Sequence, residues 1–284
     1  MTTTTTARAA RDAVKAATPL PGAWRVGLSR GGLEIKQFFR DRTQVAFTLA
    51  FPVVFLILLS SIFGEEIEEA NISVAQLFVP SMMGSGLLAS SFQSLGTSIA
   101  HERENRSLRR LRGTPMPPAA YFLGKVWLVL VTGVVETALL LVVGVVGYEL
   151  EIPTDPVRLF HLLWIMLLGM SAGALLGVAI SSVPRTGAGA SAVVILPFTI
   201  LQFVSGVYIP ISSLPDWMIQ VGSLFPLKWM CQGLRGVFLP DAAKVLEPAG
   251  DWEFGRVVLV LTAWCVGGLL LCLTTFRWKS RTDG

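Results

Sequence analysis

Six long apolar stretches dominate the hydrophobic pattern of the chain, and polar or charged segments separate them. They cover about 44–63, 74–100, 120–147, 159–182, 187–209 and 256–277. A helix needs about 20 residues to cross a hydrocarbon core about 30 Å thick, and no stretch shows the alternation that a barrel strand requires. The pattern therefore predicts an all-α integral membrane protein with six transmembrane helices. The fourth and fifth are joined by a tight turn that contains Pro184.

Two segments with different patterns precede the first stretch. Residues 1–21 are rich in Thr and Ala and lack the apolar core of a signal peptide, which predicts a disordered tail. Residues 22–43 carry apolar side chains at near-helical spacing between basic ones, and this favours an amphipathic helix lying in the membrane interface. A helix packed on protein is the alternative, and Gly31 and Gly32 weaken either helix by about 1 kcal/mol each. The apolar residues are Trp24, Leu28, Ile35, Phe38 and Phe39.

The composition supports membrane insertion. Charged residues make up 15% of the chain and hydrophobic residues 52%, whereas an average soluble domain is about 25% charged. A soluble globule of this composition would expose large apolar patches to water. Soluble and disordered classes are therefore excluded.

The position of the charges predicts the orientation. Eight Lys or Arg residues precede the first stretch, and five arginines lie in 101–119. The loop after the first stretch instead carries four glutamates, at 65, 66, 68 and 69. Since basic loops stay on the cytoplasmic side, both termini are predicted to be cytoplasmic, with a short tail at 281–284. This asymmetry explains the net charge of +4 without a nucleic-acid partner.

The sequence shows no catalytic or metal-binding motif. The two histidines, His101 and His161, fall at opposite predicted sides of the membrane. No nucleophile elbow, paired-histidine zinc motif, CxxC pair or phosphate-binding GxxxxGK[ST] loop occurs in this chain. We therefore predict that the chain is not an enzyme and holds no cofactor, and that any ATP is hydrolysed by a separate subunit.

The segment between the second and third stretches reads HERENRSLRRLRGTPMPP from His101. Leu108 and Leu111 share one face of a short helix, arginines cover the rest, and Gly113 and Pro115 end it. Such a helix is suited to docking into a groove of a cytoplasmic partner. A solvated basic loop that merely fixes the topology explains the pattern equally well.

This segment resembles the Glu-Arg-Glu-x-Gly-Thr-Leu-x-x-Leu-x-x-Thr-Pro signature of the ABC type-2 exporter permeases, the membrane subunits of bacterial drug, antibiotic and glycoconjugate exporters. Arg106 stands where glycine is usual and Arg109 where glutamate is usual. The resemblance implies a coupling helix that contacts an ATPase. The matching residues are Glu102, Arg103, Glu104, Leu108, Leu111, Thr114 and Pro115.

A second similar segment, at about 211–247, precedes the last stretch. It is too broken to span a bilayer and too apolar for an exposed loop, which favours a pair of short helices dipping into the outer leaflet. The family has a re-entrant hairpin at this place. The residues that carry the match are Gly206, Pro210, Pro215, Trp217, Pro226 and Arg235.

The resemblance also implies the assembly and its activity. Two copies of a separate ATPase, which bind ATP and Mg, would drive two permeases, either two copies of this chain or one copy and a homologue, in the bacterial cytoplasmic membrane. The expected cargo is an amphipathic drug-like or antibiotic molecule that moves outward. A lipid-linked glycan exporter and a non-transporting scaffold or immunity protein are the alternatives.

Several residues within the stretches are candidates for the transport pathway. Glu136 lies in the middle of the third stretch, where a charge is costly, so it is expected to face a wet cavity or a substrate; a structural hydrogen bond is the alternative. Gly169, Gly173 and Gly177 form a stripe suited to close helix packing, within the chain or at a moving or dimer surface. The further candidates are Met82, Met83, Phe198, Gln202 and Phe203.

Overall fold

The computed structural model describes residues 22–63, 66–184 and 187–275. The predicted tails at 1–21 and 281–284, and the end of the sixth stretch at 276–277, lie outside the described residues. Within them the chain is almost entirely helical, and one two-stranded antiparallel ladder pairs Glu66 with Ser73. The predicted all-α class is therefore confirmed.

The elements follow one another in this order. They are α1 (Ala23–Arg40), α2 (Arg42–Phe63), β1 (Glu66–Ile67), β2 (Ile72–Ser73), α3 (74–104), α4 (Ser107–Arg112), α5 (Pro118–Tyr148), α6 (Pro156–Ile180), α7 (Gly187–Val204), α8 (Asp216–Ser223), α9 (Pro226–Phe238) and α10 (Phe254–Thr275). Both α2 and α3 contain a π-helical turn, at Ala46–Ala50 and at Ala89–Gln93. Short 3₁₀ turns occupy Ile211–Ser213 and Asp241–Leu246.

Polar residues and prolines set the helix boundaries. Asp41 separates α1 from α2, since its backbone is extended and its carboxylate accepts a hydrogen bond from the Gln44 backbone N–H at 3.0 Å. The side chain of Asp155 caps α6 in the same way, and Pro156 and Pro118 stand in the first turns of α6 and α5. The amphipathic segment predicted at 22–43 is thus divided at Asp41.

Four helices of the described chain, α2, α5, α6 and α10, are long and apolar enough to cross a membrane. The protein is therefore a multi-pass membrane protein. The second predicted stretch corresponds to α3, a continuous helix whose apolar sequence contains several serines. The fifth corresponds to α7, which ends at Val204. The chain leaves α7 before 209 because Gly206 takes a left-handed backbone conformation, with φ of 74°. The count of six spans stays a prediction.

Helix α3 lies at the centre of the packing. All residues of Val74–Leu88 except Gln76 are buried, and α2, α5, α6 and α9 pack around them. The whole of α9 is buried as well, whereas Trp217 on α8 is exposed. The two short helices within 211–247 thus differ, since one belongs to the core and the other lies at the surface.

Candidate functional site

A cavity of about 450 Å³ lies between α2, α3, α5 and α7. Five of the predicted pathway residues line it, namely Met82, Glu136, Phe198, Gln202 and Phe203. Met83 is not one of the lining residues and is buried in the hydrophobic core. The cavity is apolar over most of its surface, and the two π-helical turns supply Phe47, Thr48, Ala89, Ser90 and Gln93.

Aromatic rings form one continuous wall of the cavity, the aromatic wall (Phe51, Phe55, Phe203 and Tyr208). The ring centroids of Phe51 and Phe55 are 4.6 Å apart, and those of Phe55 and Tyr208 are 4.9 Å apart. Phe203 meets the ring of Tyr208 edge-on at 5.2 Å. Only Phe203 was predicted, because the other rings come from the first apolar stretch and from the turn after α7.

A short chain of hydrogen bonds orients the polar residues of the cavity. The Tyr208 hydroxyl donates to Gln202 Oε1 at 2.8 Å, and Gln202 Nε2 donates to Ser85 Oγ at 2.5 Å. These bonds connect the end of α7 to α3. Gln202 is thereby held by protein groups of α3 and of the turn after α7.

Glu136 faces this cavity from α5. Its side chain is 2% exposed, and its Oε2 atom has no hydrogen-bond partner in the described part of the chain. A Cβ atom at Gly86 of α3 would overlap the carboxylate, so the glycine provides the space in which Glu136 lies. The hydrogen-bond alternative therefore finds no partner for Oε2, and the geometry favours a residue directed at the cavity.

The two π-helical turns lie on the cavity side of α2 and α3. A π turn widens a helix locally and alters its hydrogen-bond ladder, and such turns are frequent at functional sites. Periodicity in the sequence cannot reveal them, because each adds about one residue to an otherwise regular helix.

At the other end of α3, five residues form a buried charge cluster, the α1 anchor (Arg30, Glu34, Glu102, Tyr121 and Lys125). Lys125 Nζ lies 2.5 Å from Glu102 Oε1 and 3.2 Å from Glu34 Oε2. Arg30 pairs with Glu34 at 3.0 Å, and the Tyr121 hydroxyl donates to Glu102 Oε2 at 2.9 Å. The cluster joins α1, α3 and α5, so Glu102 of the signature makes contacts within its own chain.

Helix α1 packs against α5 through glycines. A Cβ atom at Gly27 would lie 2.7 Å from Leu123 Cβ, and one at Gly31 would lie 2.7 Å from Trp127 Cδ1. Gly31, which argued against a helix, is therefore required for its close approach to α5. Phe38 is buried on this face, Ile35 is half-buried, and Trp24, Leu28 and Phe39 are exposed on the other side.

The remaining signature residues organise the turn from α3 to α4. The Arg103 guanidinium donates to the Ser181 backbone carbonyl at the end of α6, and burial lowers the pKa of Arg103. Thr114 Oγ1 donates to the Leu111 carbonyl at 2.6 Å. Glu104 and Pro115 are exposed.

Leu108 requires a correction to the docking interpretation. Its side chain is 0% exposed because it packs into the core of its own chain, and Leu111 is half-buried beside it. The outward side of α4 is basic and carries Arg109, Arg110 and Arg112. A Leu108→Asp variant would therefore test folding and not docking.

Arg106 takes the left-handed conformation, with φ of 56°, in the turn before α4. This explains why glycine is usual at this position, since glycine adopts that conformation without steric cost. Relief of a steric cost of about 1–2 kcal/mol is partly offset by the greater freedom of glycine in the unfolded chain, about 0.4–1 kcal/mol. We therefore expect Arg106→Gly to raise the free energy of unfolding by about 0.5–1 kcal/mol. The midpoint of thermal unfolding of the purified protein checks this, and a lower midpoint would contradict it.

Two buried contacts of Arg235 hold α9 in place. Arg235 Nε lies 2.5 Å from Glu247 Oε1, and Arg235 Nη1 donates to Ser81 Oγ of α3 at 2.9 Å. Pro226 begins α9, while Pro215 precedes α8 and Pro210 precedes the 3₁₀ turn. Arg235 therefore holds α9 against α3 and against the segment that contains Glu247.

The glycine stripe of α6 lies against neighbouring helices of the same chain. Gly169 contacts Met230 of α9, Gly173 contacts Ser91 of α3, and a Cβ atom at Gly177 would lie 2.6 Å from the Phe92 carbonyl oxygen. The stripe thus allows α6 to approach the π-helical turn of α3 closely.

Comparison with known proteins identifies the family. The model of the ABC-2 type transporter family matches residues 32–239, which include all four helices of the cavity, α4 and α9. A search among curated proteins found no match. The described residues contain no group of three or more His, Cys, Asp or Glu side chains that would hold a metal ion. Because the match covers well over half of the chain, the protein belongs to the ABC-2 type transporter family and is a transmembrane permease subunit.

Proposed function

We propose that this permease moves an amphipathic drug-like or antibiotic molecule outward across the bacterial cytoplasmic membrane. Two copies of a separate ABC ATPase, loaded with ATP and Mg, supply the energy, and a second copy of this chain or a homologous permease completes the pathway. Both termini face the cytoplasm. The observation that carries the proposal is the aromatic cavity between α2, α3, α5 and α7.

The chemistry of the cavity favours this cargo over a glycan. Ligand sites for drug-like molecules are mostly apolar and hold only a few polar groups, and this lining is of that kind. A glycan would need many hydrogen-bonding partners, whereas Gln202 is already paired with Ser85 and Tyr208. Phe47 and Phe51 belong to the lining and are also exposed at the surface of the chain, so lipid or a second permease would cover them.

The α1 anchor supports coupling to an ATPase. It joins α1, α3 and α5 through the ion pairs of Lys125 and Arg30, so these helices move as a unit. A partner that binds the basic side of α4 and pushes on α1 would displace the same unit. ATP must favour one of the two arrangements for such a push to do work.

Transport in vesicles tests the proposal directly. Inside-out vesicles that contain both subunits should accumulate rhodamine 6G when ATP is added, and should not do so with a non-hydrolysable analogue. A complex that hydrolyses ATP but accumulates none of a panel of amphiphiles would contradict the exporter and favour a scaffold of the same fold.

Charge reversal on α4 tests the docking surface. The double variant Arg110→Glu/Arg112→Glu should reduce co-purification of the ATPase at least tenfold. Both side chains are exposed on α4, and a basic docking surface pairs with an acidic surface of the partner, which glutamates would repel. Arg256→Glu is the matched control, since Arg256 is 70% exposed and lies at the start of α10 on the opposite predicted side. Equal ATPase recovery in both variants would contradict docking at α4.

A further inference from the structure

We propose that the cavity selects organic cations, with Glu136 as the counter-charge and the aromatic wall as the surface that holds the cation's body. This inference rests on the proposed transport function and adds the charge of the cargo. It is carried by the burial of Glu136, by its unpartnered oxygen and by the chemistry of the rings around it.

The cavity is lined by one acidic side chain and by no basic one among the described residues. Glu136 is the one Asp, Glu, Lys or Arg among the described residues that line it, and Oε2 has no hydrogen-bond partner in residues 22–63, 66–184 and 187–275. A buried carboxylate is costly without a cation or hydrogen bonds. A cationic group of the cargo would supply the missing partner.

The position of the carboxylate is built into the helix pair. Gly86 of α3 leaves open the space that the Glu136 carboxylate occupies, and the two groups would overlap if residue 86 carried a side chain. The serine and glutamine side chains at 85, 90, 93 and 94 lie on the same helix and also line the cavity. These neutral side chains make the surroundings of the carboxylate partly polar, but they carry no opposite charge.

The aromatic wall favours a bulky cation. Phe51, Phe55, Tyr208 and Phe203 form a chain of rings with successive centroid distances of 4.6, 4.9 and 5.2 Å. A cation within about 6 Å of a ring face is attracted by the negative face of the aromatic ring. A metal ion gains little here, because the described residues offer no group of three metal-binding side chains. The fitting occupant is therefore an organic cation with apolar substituents.

Two ions of the same size and shape but opposite charge test this inference. Equilibrium binding of radiolabelled tetraphenylphosphonium and tetraphenylborate is measured on the permease–ATPase complex in nanodiscs, and empty nanodiscs give the lipid background. We expect specific binding of the cation at least tenfold tighter than that of the anion. Glu136→Gln should weaken cation binding at least tenfold, which corresponds to about 1.4 kcal/mol, and should not weaken anion binding.

Two further variants keep the test decisive. Gly86→Ala retains the carboxylate but displaces it, so it should also weaken cation binding, even if Glu136→Gln fails to fold. Glu66→Gln, in the exposed β1 strand outside this cavity, should leave both affinities unchanged. Absence of specific cation binding, equal affinity for the two ions, or an unchanged cation affinity in the Glu136→Gln and Gly86→Ala variants would overturn the inference. Since binding is measured without ATP turnover, this outcome is separate from that of the vesicle transport experiment.

Discussion

Replacing Arg235 with alanine should lower the free energy of unfolding by about 3–5 kcal/mol, because it leaves a carboxylate buried without a partner. The side chains of Arg235 and Glu247 are 2% and 1% exposed. Arg235 also donates to Ser81 of α3, so its loss frees α9 from the central helix. Unfolding of the purified protein in mixed micelles, followed by Trp fluorescence, measures the change.

Two comparisons separate the buried pair from a general effect of charge. Arg256 pairs with Glu253 at 2.5 Å but is 70% exposed, so Arg256→Ala should cost about 0–1 kcal/mol. The double variant Arg235→Met/Glu247→Leu should recover most of the loss, because well-packed apolar side chains can replace a buried ion pair. Equal losses for Arg235→Ala and Arg256→Ala would show that burial does not govern the stability of the hairpin.

Replacing Lys125 with methionine should loosen the attachment of α1 to α5. Lys125 is 4% exposed and is paired with both Glu34 and Glu102, so its loss leaves two carboxylates that share only Arg30. Breaking such a buried pair costs about 3–5 kcal/mol. That cost falls on the interface between α1 and α5, and we expect the backbone amides of α1 to exchange with deuterium at least a hundredfold faster.

Hydrogen exchange followed by mass spectrometry gives this measurement for α1 separately from the spans. Lys36→Met is the control, because Lys36 is an exposed residue of the same helix and its replacement should leave the exchange of α1 unchanged. The Lys125→Met variant should still insert into the membrane. Unchanged protection of α1 would mean that the glycine contacts alone hold α1 on α5.

The helical elements were predictable because long apolar stretches are a strong and local signal. Glu136 and the stripe Gly169–Gly173–Gly177 were also visible, since a charge or a repeated glycine stands out in an apolar run. Met83 could not be told apart from Met82 in the sequence because α3 is apolar almost all around, and such a helix does not reveal which face is turned to a cavity. Met82, which lines the cavity, and Met83, which does not, are neighbours in the sequence.

Contacts between distant segments were not predictable. The sequence around Lys125 does not indicate its partners, because Glu34 and Glu102 lie in two other helices. The same holds for Phe55 and Tyr208, which meet only because α2 and the turn after α7 are neighbours in space. The burial of Leu108 had no signal either, since the spacing of Leu108 and Leu111 defines a helix face but not the surface it packs against.

The central helix α3 connects three parts of the molecule, namely α9, the α1 anchor and the cavity. Ser81 accepts a hydrogen bond from Arg235 of α9. Glu102 pairs with Lys125, which also pairs with Glu34 of α1. These two attachments are about 30 Å apart at about 1.5 Å per residue. The π-helical turn Ala89–Gln93 lies between them and beside the cavity. A displacement of the end of α3 that carries Glu102 would therefore be taken up at this π-helical turn or would change the width of the cavity.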